Sequence, residues 1–131
     1  PAMAAIAAFT LPPDPAKTLQ PKLDADDHAG ALADFAAATA GWRNPWRNLF
    51  ETGLNDYGYR LLAEKRLDDA ILVFKLVTDL YASSANAWDS LGEAYAIAGI
   101  RHRAAYCYAR SLLLNPDNAH GADQLEALLG N

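Results

Sequence analysis

The chain has 131 residues and a mass of 14.1 kDa, with 16 acidic side chains against 11 Lys and Arg, a formal charge of −5 and a pI near 5.0. That length fits one domain able to bury a core, and the acidic balance argues against nucleic acid or an anionic membrane surface as main partner. The single cysteine, Cys107, excludes an internal disulfide framework and a Cys-based zinc site. A hydrophobic content of 52% is too high for a disordered chain. About one residue in five is alanine, with few clusters of Val, Ile and Thr, which favours helices over sheet.

The first apolar stretch, residues 2–11, is about half the length a membrane span needs. No basic residue precedes it, as a signal peptide would require. We therefore expect a soluble protein with no membrane insertion, either cytoplasmic or periplasmic. A chain that begins at Pro1 rather than Met reads as an excised or trimmed piece of something longer.

Five of the seven prolines lie among the first 21 residues, and the run Leu11-Pro12-Pro13-Asp14-Pro15 opposes helix and central strand alike. Residues 1–22 therefore read as an extended linker or docked arm. Residues 23–50 read as a helical N-terminal cap. Asp24, Asp26 and Asp27 would form an acidic first helical turn. His28, Leu32, Phe35, Ala36 and Thr39 recur on one face, and Gly41 would end the helix. The tandem Trp42-Arg43-Asn44 and Trp46-Arg47-Asn48 comes next, broken by Pro45. Asn44 and Pro45 suit an N-cap and first helical residue. The two rings either pin the N-terminal helix onto the helices downstream or form a binding anchor. We favour the first.

Beyond Phe50 the sequence repeats with a shift of 34 and no gap. Leu54 aligns with Trp88, Tyr57 with Leu91, Gly58 with Gly92 and Leu61 with Tyr95. Ala70 aligns with Ala104, Phe74 with Tyr108 and Leu80 with Leu114. The units occupy 51–84 and 85–118. Each holds two predicted helices, over 53–64 and 68–81, then 86–98 and 101–114. Gly99 and Asn115-Pro116 are stop signals. A closing helix is expected at the C-terminus, residues 119–131, capped by Asp117, with Ala122, Leu125 and Leu129 on its apolar face and Gly130 as stop. About six helices are expected in all.

Trp88-x2-Leu91-Gly92-x2-Tyr95 with Ala104, Tyr108 and Pro116 resembles the tetratricopeptide repeat. Gly58, Ala70 and Phe74 carry the likeness in the first copy, where Leu54 stands for the Trp and Ala82 for the final Pro. The resemblance implies an all-α, right-handed stack of antiparallel helical hairpins that binds a protein or peptide. Gly58, Gly92, Ala70 and Ala104 would allow close helix contact, and Trp88, Tyr95 and Tyr108 would fill the space between repeats. It also implies a binding face on the first helix of each repeat, which assigns the partner-binding residues Asn55, Tyr59, Asn86, Asp89, Glu93 and Asp123. Leu62, Ile97 and His120 extend the row. No Lys or Arg stands in it, so a carboxylate-tail clamp is not expected, and a basic or polar segment suits it better. Equally, the row could be a solvated helix face. A homo-oligomer stays open.

A narrower likeness runs over residues 50–120. The stretches 54–64, 70–76 and 84–94 resemble repeats appended to bacterial serine hydrolases of the penicillin-binding-protein or esterase type. The alternative function is therefore an accessory or oligomerisation domain, with the catalytic domain upstream. Within the chain itself no Gly-x-Ser-x-Gly, Ser-x-x-Lys, phosphate loop or His-Glu-x-x-His occurs. We expect no catalysis, no cofactor and no metal. Asp24, Asp26, Asp27 and His28 include metal-ligand types, but sequence neighbours splay apart on a helix. Arg101-His102-Arg103 could meet a phosphate at a helix start, yet reads more simply as a solvated basic turn. Cys107, between Tyr106 and Tyr108, reads as a small packing residue.

Overall fold

The computed structural model describes residues 14–40 and 50–130. Among them are seven α-helices and no strand: α1 (Pro15–Asp24), α2 (His28–Thr39), α3 (Glu51–Ala63), α4 (Leu67–Leu80), α5 (Ala85–Ile97), α6 (Arg101–Leu114) and α7 (Ala119–Leu129). None is long and apolar enough to cross a membrane. The chain divides into two compact units, residues 1–50 and 51–131. The readings made for Gly41 and the Trp42–Asn48 tandem, and those for residues 1–13, lie outside the described residues.

In the first unit, α1 corrects the expected linker. Pro15 sits at the start of the helix, where a missing N–H costs nothing, and Asp14 Oδ1 caps it by accepting from Ala16 N at 3.0 Å. Pro21 lies inside the helix and removes one further donor. Burial of Leu19 and Leu23, four residues apart on one face, offsets that loss. Residues 15–24 thus form a helix not expected there. It packs on α2 across a tight turn in which Asp26 takes φ +59°. Asp24 thus ends α1 and Asp26 lies in the turn, so the three acids do not form a first helical turn. Asp27 is the N-cap of α2, accepting from Gly30 N at 2.8 Å. Leu32, expected to face inward, is 41% exposed, whereas Ala31 and Phe35 are buried.

In the second unit, helices adjacent in the chain pack on one another from α3 through α7. The limits of α5 and α6 are those of α3 and α4 moved by 34: Glu51 to Ala85, Ala63 to Ile97, Leu67 to Arg101, Leu80 to Leu114. The turns match as well. Ile100 N donates to Tyr95 O at 2.9 Å and Gly99 N to Ala96 O at 3.0 Å, with Gly99 at φ +77°. Thirty-four residues earlier, Arg66 N donates to Leu61 O and Lys65 N to Leu62 O, both at 2.9 Å, with Lys65 at φ +61°. One backbone device therefore closes both hairpins, although only the second has the glycine it favours.

Within each hairpin the first helix presents a glycine to an aromatic ring of the second. A β-carbon on Gly58 would lie 2.5 Å from Phe74 Cε1, and one on Gly92 would lie 3.1 Å from Tyr108 Cε1. Ala70 and Ala104 are fully buried beside them. Tyr108 thus packs inside its own repeat, as Phe74 does in the other.

The closing helix differs from expectation at its start. Asn118, not Asp117, is the N-cap, with Oδ1 accepting from Gly121 N at 3.1 Å. Gly121 is its buried residue, while Ala122 is exposed and Leu129 is 69% exposed.

Candidate functional site

The first helices α3 and α5 and the closing helix α7 carry the expected row. Two of its members meet directly. Tyr59 Oη of α3 donates to Glu93 Oε2 of α5 at 2.7 Å and lies 3.1 Å from Ser90 Oγ. The phenol has one proton and gives it to the carboxylate, so the serine hydroxyl is the donor in the second contact. The Tyr59 ring also stands edge-on to Phe74, with centroids 5.1 Å apart. Burial, followed by the facing Glu93 carboxylate, pushes the Tyr59 phenol up to about 12.

Asp89, one turn earlier on α5, faces α7. Its Oδ1 accepts from Asn118 Nδ2 at 3.2 Å, and His120 Nδ1 lies 3.0 Å from its Oδ2. Asn118 Nδ2 also donates to Ser111 Oγ at 2.9 Å, and Ser111 Oγ donates to Ala85 O at 2.8 Å. A polar chain thus joins the start of α5, the end of α6 and the cap of α7. The glycine at 121 admits it, because a β-carbon there would lie 2.6 Å from Asn118 Nδ2 and 3.3 Å from Asp89 Oδ1. Tyr108 lies beneath, edge-on to His120, and burial, then Asp89, pushes its phenol above the ordinary range.

The other members are scattered in exposure. Asn86 and Asp123 are exposed, and Ile97 is 60% exposed. Leu62 is half-buried. Asn55, expected to face outward, is 9% exposed, and its Oδ1 has no hydrogen-bond donor among the described residues. A buried amide oxygen without a donor is costly.

Sequence reasoning missed Ser90, Ser111 and Asn118. Ser90 and Ser111 are the small polar residues at fully buried positions of α5 and α6, which was their one legible signal. Their partners, 31 and 7 residues away, have no periodic signature.

The basic turn opens α6, and its residues diverge. Arg101 Nη2 donates to Leu128 O at 2.7 Å, near the end of α7, where a cation suits the exposed carbonyls. Arg103 lies over the Tyr95 ring, with Cζ 5.7 Å from its centroid. Cys107 is buried, and burial pushes its thiol up to about 12, so it stays a neutral packing group near neutral pH.

Chemically, the row is a hydrogen-bonding surface. Its carboxylates accept from Tyr59, Asn118 and His120, and its best-placed hydroxyl, Ser90, is 1% exposed. Compared with known proteins, the chain matches no protein-family model and no curated protein sequence.

Proposed function

We propose that the chain is a non-catalytic protein-interaction module of the tetratricopeptide-repeat kind, which takes a basic or polar peptide along the row on α3, α5 and α7. The observation that supports this reading is the 34-residue identity of helix limits, with a glycine seated on an aromatic ring in both hairpins. A hairpin of this size cannot bury its apolar face alone, so stacking leaves one helix face of each unit for a partner. Along that face the charge is negative: Asp89, Glu93 and Asp123, interrupted by His120 alone.

The internal hydrogen bonds of Asp89 and Glu93 decide how the reading is tested. Reversing those charges would also unpair Tyr59 and Asn118. Asn86 and Asp123 are exposed, so Asn86→Lys with Asp123→Lys changes the charge of the row and leaves those bonds intact. Partners captured from the source cell by the parent protein should be lost to this double variant, with its circular dichroism and melting point unchanged. Full retention would move the site off the row, and no specific capture by the parent protein would remove the reading.

A further inference from the structure

On the opposite side of α5 from Asp89 and Glu93 lies a groove of about 430 Å³ between α4 and α6. At 100° per residue, Trp88, Leu91 and Tyr95 stand roughly half a turn from Asn86, Asp89 and Glu93. Trp88 and Tyr95 form the floor, Lys75 stands on the α4 wall, and His102, Arg103 and Tyr106 stand on the α6 wall. The volume is within the roughly 300–1,000 Å³ of typical ligand sites.

Three properties define the ligand that would fit. The first is charge. In a chain of net charge −5, Lys75, His102 and Arg103 converge on one groove, all three exposed. None is ion-paired among the described residues, and Asp79 is the one carboxylate in the lining. His102 and Arg103 lie in the first turn of α6, whose N–H groups add to the positive potential.

The second is the aromatic floor, which is already fixed in place. Trp88 Nε1 donates to Ala82 O at 2.8 Å, and Arg110 lies over its ring at 5.2 Å. Tyr106 stands edge-on to Trp88 at 6.0 Å and is 59% exposed. Large rings held in place bind at low entropic cost. A further ring could join them edge-to-face or offset.

The third is length. From Trp88 to Tyr95 the helix rises about 10 Å, at about 1.5 Å per residue. An extended chain covers that distance with about three residues.

We infer that this groove binds a short, extended acidic peptide segment with an aromatic residue at its centre, the ring against Trp88 and the exposed Tyr106 and the flanking carboxylates against Lys75 and Arg103. The inference does not rest on the row across α5, since it uses another face and the opposite charge.

The test is calorimetric titration of the full chain with the blocked peptide Glu-Glu-Phe-Glu-Glu. Saturable binding is expected, weakening as salt rises. Lys75→Glu with Arg103→Glu should weaken it by roughly tenfold or more, because both residues are exposed and charge reversal on a rim opposes the ligand directly. Asn86→Lys with Asp123→Lys should leave it unchanged. No saturation up to about 1 mM would overturn the inference. So would equal binding by Glu-Glu-Ala-Glu-Glu, which would mean that net charge alone is read. Equal binding by Lys-Lys-Phe-Lys-Lys, or an unaltered affinity in the Lys75 and Arg103 double variant with native circular dichroism, would overturn it too.

Discussion

The ring of Phe74 occupies the volume that a β-carbon on Gly58 would need, with Phe74 Cε1 2.5 Å from that position. Phe74 is fully buried, so its ring has nowhere to retreat. Thirty-four residues on, Gly92 meets Tyr108 at 3.1 Å, a contact relieved by a shift of a few tenths of an ångström. The same device is therefore tighter in the first repeat than in the second.

Gly58→Ala and Gly92→Ala should consequently differ. In a helix interior, alanine is favoured over glycine by about 1 kcal/mol. At Gly92 that gain should largely offset the close contact, leaving stability near that of the parent protein. At Gly58 overpacking should dominate, with a loss of about 1–3 kcal/mol in urea denaturation. Adding Phe74→Leu to Gly58→Ala should recover part of it, a coupling that a double-mutant cycle reads directly. Gly92→Leu is far larger than a methyl and should cost about 1–3 kcal/mol.

The contrast explains how much of the fold is legible in the sequence. A repeat registers wherever the same local need recurs, so the 34-residue alignment places the second-unit helices to within about two residues. The prolines mislead because composition outweighs position: Pro15 begins a helix, and Pro21 is tolerated where Leu19 and Leu23 are buried. Asp117 is of a type that suits a cap, but Asn118 stands three residues before the N–H it accepts from. The row residues lie on the helices expected of them. That Glu93 and Asp89 already have partners is not legible, because Tyr59 and Asn118 are distant in sequence and pair only through packing.

The two hairpin turns supply a second comparison. Lys65 holds φ +61° where Gly99 holds φ +77°. A side chain in the left-handed region costs roughly 1–2 kcal/mol, and glycine's extra freedom when unfolded returns about 0.5–1. Lys65→Gly should therefore raise stability by about 0.5 kcal/mol, while Gly99→Ala should lower it by about 1 kcal/mol. Urea midpoints at constant slope would check both. A stabilising Gly99→Ala would mean that the turn relaxes away from the left-handed geometry.

Asn118 links the cap of α7 to both Asp89 and Ser111. Asn118→Ala should cost about 1–2 kcal/mol, at the upper end for a cap because two further bonds go with it. Asp117→Ala should change stability by less than about 0.5 kcal/mol, since Asp117 is exposed and is not the cap. Hydrogen exchange in α7 should speed up selectively in the Asn118 variant. Equal effects of the two substitutions would assign the cap to Asp117 after all.

Tyr59 gives the interface between α3 and α5 a defined alkaline limit. In the folded chain its phenol is pushed up to about 12, whereas an unfolded tyrosine ionises near its ordinary value of about 10. Between these values the unfolded state has released the proton and the folded state still holds it. The folded state thus binds more protons, and stability falls as pH rises across this window. Below about pH 10 the contribution is fully present; through about pH 12 it is lost. Cys107 and Tyr108 are shifted the same way by burial and add to the slope. Tyr59→Phe cannot ionise there. Its deficit against the parent protein should be about 0.5–1.5 kcal/mol near neutral pH, from the lost bonds to Glu93 and Ser90. That deficit should shrink above about pH 10, because only the parent protein carries the Tyr59 penalty. Urea midpoints of the two proteins from about pH 8 to about pH 12 measure the difference. A pH-independent gap would mean that Tyr59 ionises as freely when folded as when unfolded, and that its bond to Glu93 does not hold the proton.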